Sequence, residues 1–268
     1  MLPAILSLTG LGILFAIGLV LASRKFSIKI DPVLEKVLKI LPGTNCGACG
    51  KASCQLFADE LVSKKTDVGG CLAGGSEVSH SLGELFEVNV EARERQVAVL
   101  LCRGGRDKTG ERFIYQGISD CQPLSLLFGG NGSCQSGCIH LGSCRKACSF
   151  GAIMMGKDGL PLISPELCVG CGKCIKSCPK GVLRLFSEKE EPLITCSLHS
   201  RGREVTKVCE VGCIGCGKCV KVCPQEAIML EDYLARIDYE KCNQCYLCVE
   251  ECPKKVITTK EAMICIGG

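Results

Sequence analysis

The chain of 268 residues has no tryptophan, only 4% aromatic residues, three histidines and no run of five or more basic residues. With so few large rings an ordinary side-chain core must be small, and the 47% hydrophobic share overstates it because cysteine is counted there. A net charge of +4 without a basic run gives no support to nucleic-acid binding. No Gly-x-Gly-x-x-Gly opens a helix after a strand; Gly170-x-Gly172 and Gly215-x-Gly217 lie inside cysteine runs, so no nucleotide or flavin is expected on this chain. His80, His140 and His199 sit in Ser/Gly-rich or loop-like contexts without a partnered carboxylate and are expected on solvated surface.

Charge is also missing from Met1 to Ser23, where Leu2 to Ala22 is rich in Leu, Ile, Ala and Gly. This stretch is long enough for one transmembrane helix, and Arg24, Lys25 and Lys29 follow it. Positive residues mark the cytoplasmic end of a span, so the expectation is a single-span anchor in the cytoplasmic membrane with the rest of the chain on the cytoplasmic side. A cleaved signal peptide ending near Val20-Leu21-Ala22 is the weaker reading, because the basic n-region is absent and export would oxidise the thiols.

What is abundant is cysteine, 25 residues of it. Disulfides, zinc and iron–sulfur clusters compete to explain that number. The run Cys168-x2-Cys171-x2-Cys174-x3-Cys178-Pro179 crowds its thiols too closely for unstrained disulfides, and 25 is odd. Zinc sites more often supply two Cys at a time and pair them with a distant Cys or His pair, and the three histidines here stand in no such frame. Iron–sulfur ligation is the reading that survives.

Asp31 to Leu41 reads as an amphipathic helix with Val33, Leu34, Val37, Leu38 and Leu41 on one side, ended by Pro42-Gly43. Cys46-x2-Cys49-x4-Cys54 follows, then Cys71 among glycines, and Cys46, Cys49, Cys54 and Cys71 are assigned to one cluster. Residues 76–95 read as a polar linker helix. From about residue 96 the chain repeats itself: an apolar run ending in Cys102 or Cys196, a loop with Cys121 or Cys209, then two cysteine quartets. The quartets are Cys134-Cys138-Cys144-Cys148 and Cys168-Cys171-Cys174-Cys178, then Cys213-Cys216-Cys219-Cys223 and Cys242-Cys245-Cys248-Cys252; Pro follows the last Cys in all but the first, where Ser149 stands.

Each copy resembles the two-cluster bacterial ferredoxins, a small α+β fold, in which the fourth cysteine of each quartet ligates the other cluster. The resemblance implies the sets Cys134, Cys138, Cys144, Cys178 and Cys168, Cys171, Cys174, Cys148, then Cys213, Cys216, Cys219, Cys252 and Cys242, Cys245, Cys248, Cys223. The Cys138-x5-Cys144 spacing departs from the pattern. Repeat symmetry suggests a sixth [4Fe–4S] cluster on Cys102, Cys121, Cys196 and Cys209, against the alternative that these are buried small hydrophobes; Cys265 is expected to be unligated. Lys173, Lys176, Lys180, Lys218, Lys221, Lys241, Lys254 and Lys255 recur beside the ligands, either as a docking face for an acidic ferredoxin or as a solvated face.

The N-terminal span, DPVLEKVLKILPG, the Cys46-Gly-Ala-Cys49-Gly-x3-Cys54 motif with Gly-Gly-Cys71, and the two ferredoxin-like units together resemble the B subunit of the Rnf complex, in its long, cluster-rich form. That complex is an ion-translocating ferredoxin:NAD+ oxidoreductase. The resemblance implies an electron-transfer subunit that accepts electrons from soluble ferredoxin through about six [4Fe–4S] clusters. It would pass them to membrane and flavin subunits for NAD+ reduction coupled to Na+ or H+ translocation; only the complex is an enzyme in that sense. An input subunit of another membrane reductase, or a redox sensor or cluster store, are the alternatives. The expected α+β organisation is a transmembrane anchor over 1–24, a small helical cluster module with linker over 25–95, and ferredoxin-like units over 96–187 and 188–268.

Overall fold

The computed structural model describes residues 2–25, 31–90 and 94–265, with the side chains at 2, 4–8, 24 and 263–265 outside that description. Helix α1 (Leu2–Lys25) runs unbroken for 24 residues. Among the described residues no helix is long and apolar enough to cross a membrane. The stretch expected to span is helical. Lys29, expected to flank it, lies outside the described residues.

Helix α2 (Pro32–Ile40) starts where the Asp31 carboxylate accepts the Val33 N–H at 2.8 Å and Pro32 supplies a pre-set φ. It buries Val37 and delivers Leu41 to the core, whereas Val33 is exposed. Helix α3 (Cys54–Val62), capped by Ser53, adds Phe57, Ala58 and Leu61. Two short 3-10 turns, Val68–Gly70 and Leu72–Gly74, lead into α4 (Gly75–Phe86), whose Leu82 is fully buried in the same cluster. The linker helix expected over 76–95 is corrected: it stops at Phe86, where Glu87 turns left-handed (φ 54°) and the Val88 N–H returns to the Gly83 carbonyl at 2.9 Å. Burial of Leu82 makes α4 a wall of the small helical module and not a connector.

The remainder is built twice. Strand β1 (Gln96–Leu100) is followed by α5 (Cys121–Leu126), α6 (Ser143–Ala147), β2 (Ile153–Met155), β3 (Pro161–Ile163), α7 (Lys173–Lys176) and β4 (Leu183–Ser187). Then come β5 (Leu193–Ile194), α8 (Gly202–Val208), α9 (Lys218–Val222), β6 (Ile228–Glu231), β7 (Leu234–Ile237), α10 (Leu247–Glu251), β8 (Ile257–Thr258) and α11 (Lys260–Cys265). In each half the first and last strands pair antiparallel, β1 with β4 and β5 with β8, and the inner two form a hairpin, β2 with β3 and β6 with β7. In each unit the two cysteine helices pack on each other, the first against the inner hairpin and the second against the terminal-strand sheet. Val97 through Leu101 are all at most 7% exposed, because β1 is covered on both faces, which explains its unbroken apolar run. The core of each unit is cysteine as much as aliphatic side chains: Cys144, Cys168 and Cys174 in the first, Cys219 and Cys248 in the second. Helix α11 is tied to the junction between the units, the Lys260 ammonium donating to the Ser187 and Glu188 carbonyls at 2.6 and 3.0 Å. The Cys265 side chain lies outside the described residues.

Candidate metal centres

In the helical module, Asn45 adopts a left-handed backbone (φ 46°) and its side-chain oxygen accepts the Cys54 N–H at 2.8 Å. This pins the loop carrying Cys46 and Cys49 to the start of α3. Cys71 enters from between the two 3-10 turns. The four thiols line one recess of about 310 Å³, walled by Leu41 and Phe57. Burial pushes the Cys71 thiol up, opposed by the Gly74 N–H.

In the repeated units the third cysteine of each quartet, Cys144, Cys174, Cys219 or Cys248, sits within the first two residues of a short helix and is 7–8% exposed. The fourth follows the helix end, where the chain turns towards the neighbouring half of the unit. Cys213, Cys216, Cys219 and the crossed Cys252 line one recess of about 390 Å³. Burial, then Cys168, Cys171 and Cys144, raise the Cys174 thiol to about 12; burial, then Cys219, Cys242 and Cys245, do the same for Cys248. Backbone amides aim at sulfur: Ala98 N–H at Cys168 (3.4 Å), Ala227 N–H at Cys223 (3.4 Å) and Val256 N–H at Cys252 (3.3 Å). Such bonds orient and tune thiolates at clusters.

Between the two units the grouping differs from expectation. A recess of about 450 Å³ is lined by Cys102, Cys134, Cys196 and Cys209, with Cys138 on its wall. Another, about 360 Å³, is lined by Cys121, Cys138, Cys144 and Cys178. The expected set of Cys102, Cys121, Cys196 and Cys209 is therefore not brought together; Cys134 stands where Cys121 was expected, and Cys121 lies with the first quartet. The reason is local. Cys121 opens α5, with the Asp120 carboxylate capping the helix and the Cys121 N–H donating to the buried Ser143 hydroxyl at 2.7 Å, next to Cys144. Cys209 instead closes α8. The two are not equivalent, although each precedes a quartet.

His80 and His199 are exposed as expected, but His140 is not on solvated surface. Its ring Nε2 lies 2.9 Å from the Gly104 carbonyl oxygen, and burial lowers its pKa. Among the lysines, Lys176, Lys218 and Lys221 are exposed, whereas Lys180 reaches the Gln135 carbonyl at 2.5 Å and Lys254 that of Glu210 at 2.9 Å.

Among the described residues no three His, Cys, Asp or Glu side chains converge as ligands of a single metal ion. Thiols spread around a recess suit a multi-atom cube, whose corners lie apart, and all-cysteine donor sets suit iron–sulfur. The described cysteines are free thiols, none in a disulfide.

Comparison with known proteins agrees with this chemistry. Residues 133–182 and 212–256 match the family described as a 4Fe-4S dicluster domain, and residues 41–73 match a putative Fe-S cluster family. The chain is 40% identical to the B subunit of the ion-translocating oxidoreductase complex of Methanosarcina acetivorans, over 89% of this chain and 90% of that protein. It is 37% identical to the B subunit of the Na(+)-translocating ferredoxin:NAD(+) oxidoreductase complex of Acetobacterium woodii, over 91% and 75% respectively. A third relative, the B subunit of the proton-translocating ferredoxin:NAD(+) oxidoreductase complex of Clostridium ljungdahlii, is 35% identical over 89% and 84%.

Proposed function

Because the chain belongs to the family of B subunits of ion-translocating ferredoxin:NAD+ oxidoreductase complexes, and is thereby an electron-transfer subunit of that translocase, we propose that it accepts electrons from reduced ferredoxin and passes them to membrane and flavin subunits. The observation that carries this is the set of cysteine-lined recesses, repeated in both units and in the helical module. A [4Fe–4S] cluster, when bound, takes up and returns one electron with little rearrangement. The chain's own part is to supply thiolates, point N–H groups at them and keep water out with small aliphatic cores.

Three sets follow the crossed ferredoxin pattern: Cys168, Cys171, Cys174, Cys148; Cys213, Cys216, Cys219, Cys252; and Cys242, Cys245, Cys248, Cys223. Cys46, Cys49, Cys54 and Cys71 form a further set. With a set built on Cys138, Cys144 and Cys178 this makes five clusters, and a sixth is proposed between the units. The domains are read as 1–24, 25–95, 96–187 and 188–268.

Subunits of this complex are membrane-associated, and α1 is proposed as this chain's anchor, with the cluster units on the cytoplasmic side. A 24-residue helix is about 36 Å long at 1.5 Å per residue, enough for the hydrocarbon layer. Leu11, Ile13, Leu14, Phe15, Ile17, Leu19, Val20 and Leu21 are all more than half exposed, and no charge precedes Arg24. Water is a poor solvent for such a surface.

Stopped-flow mixing of the anaerobically purified full chain with reduced ferredoxin tests the reading. Cluster bleaching faster than turnover of the intact complex is expected. Bleaching slower than that turnover refutes an electron-input role.

A further inference from the structure

We propose that Cys102, Cys134, Cys196 and Cys209 hold one [4Fe–4S] cluster joining the two ferredoxin-like units, and that Cys121 supplies the thiol missing from the set of Cys138, Cys144 and Cys178. The proposal rests on the reading of the chain as a cluster carrier and goes beyond it by assigning the junction.

Two recesses meet there, and five thiols line the larger one. Cys138 borders both, and giving it to the smaller recess leaves four thiols around each. The spacing of the chain supports the same division. Cys134-Gln-Ser-Gly-Cys138 and Cys209-Glu-Val-Gly-Cys213 are the same Cys-x2-Gly-Cys motif, so Cys134 corresponds to Cys209 and Cys138 to Cys213. Gly137 and Gly212 behave alike: a Cβ on the first would lie 3.3 Å from the Cys134 sulfur, and on the second 3.7 Å from that of Cys209. Cys102 and Cys196 each end the apolar run that opens their unit. The junction is thus symmetric, one strand-end thiol and one Cys-x2-Gly-Cys thiol from each copy.

The same correspondence explains Cys121. From Cys138 to Cys144 is the same distance along the chain as from Cys213 to Cys219, and Leu141 stands where Cys216 does. A ligand is missing from the first quartet. Helix α5 brings Cys121 to that recess, held by the bond from its N–H to Ser143, while Leu141 packs against Cys121, Leu124 and Ile139. The longer loop is a regular quartet with one cysteine relocated.

A thiolate set drawn from both copies also acts as a clamp. Cys138 shares a wall with the junction recess, and the Cys196 sulfur accepts the Cys213 N–H at 3.4 Å. The junction therefore adjoins a set on each side and lies centrally in one continuous row of five, leaving the helical module's set outside the row.

Iron counting in paired variants of the full chain decides the assignment. The wild type is expected to hold about 24 iron atoms, and each single variant C134A, C196A, C121A or C144A about 20. Two thiols of one cluster cost no more together than alone, so C134A/C196A and C121A/C144A should each keep about 20, and C134A/C144A about 16. If C134A/C144A and C121A/C196A keep about 20 instead, the assignment is overturned. Variants that fail to fold are bypassed by stepwise chelation of the wild type, with iodoacetamide alkylation mapped by mass spectrometry. Cys102, Cys134, Cys196 and Cys209 should become reactive together, and Cys121 with Cys138, Cys144 and Cys178; Cys121 reacting with the junction group refutes the proposal. A wild type without iron would overturn the cluster reading as well, whereas full iron with the other pairing overturns this assignment alone.

Discussion

Alanine at Gly170 and at Gly172 should have unequal consequences, although both glycines lie in one cysteine run and both are left-handed, with φ of +65° and +70°. A left-handed backbone costs a non-glycine residue about 1–2 kcal/mol. The last quartet tolerates that cost, since Gln244 and Tyr246 take the corresponding positions at φ 57° and 58°. The difference lies in what a Cβ meets. At Gly172 nothing stands within 4 Å, whereas at Gly170 the Gln96 carbonyl oxygen would be 2.6 Å away. That oxygen belongs to β1, held in register by β4, so it cannot move without disturbing the sheet. Forcing an extra methyl into such a place adds about 1–3 kcal/mol. Borne by the folded state, this makes Gly170→Ala lose its iron about 5- to 150-fold faster than Gly172→Ala. Loss of visible cluster absorbance in denaturant under anaerobic conditions measures it. Gly215→Ala should be equally severe, because its Cβ would lie 2.7 Å from the Tyr233 carbonyl oxygen, and Gly217→Ala mild, with Leu230 Cδ1 at 3.5 Å. Equal rates for Gly170→Ala and Gly172→Ala would refute the reasoning.

Other perturbations test other parts of the molecule. The Arg112 guanidinium donates to the carbonyls of Phe128 (2.8 Å), Gly130 and Gly132 (3.0 Å), fastening the loop that leads to Cys134. Arg112→Ala should cost roughly 1.5–3 kcal/mol and speed hydrogen exchange over residues 128–134, and unchanged exchange would show the fork to be idle. If Lys176, Lys218 and Lys221 help to dock an acidic ferredoxin, its association rate should fall steeply between low and physiological ionic strength, and a flat salt profile would exclude docking through them. Removal of residues 1–25 should let alkaline carbonate strip the chain from membranes, whereas the full chain stays; equal extraction would exclude α1 as the anchor.

Much of the site was legible because cluster ligation is written locally. Cys-x2-Cys runs put several donors within a few residues, and the duplicated pattern pointed to two ferredoxin-like α+β units; that the terminal strands of each unit pair was not written there. The α2 helix was readable from Asp31-Pro32 and its apolar spacing, since caps and periodicity are local. The extent of α4 was not, because alternating charge says nothing of the contact that buries Leu82. His140 was misread for the same reason: its neighbour, the Gly104 carbonyl, is remote in sequence.

By itself the sequence determined the chemistry, thiolates spaced for iron–sulfur clusters, and the existence of a repeat, because both depend on residues close along the chain. Only the tertiary structure decided which of Cys121 and Cys134 faces the junction. Cys121 precedes the first quartet and Cys134 opens it, and the choice turns on whether a helix begins or ends at the thiol before each quartet: α5 starts at Cys121 and carries it towards Cys144, whereas α8 ends at Cys209 and leaves it between the units. Distances between remote thiols depend on how helices and strands pack, and no local spacing encodes that packing.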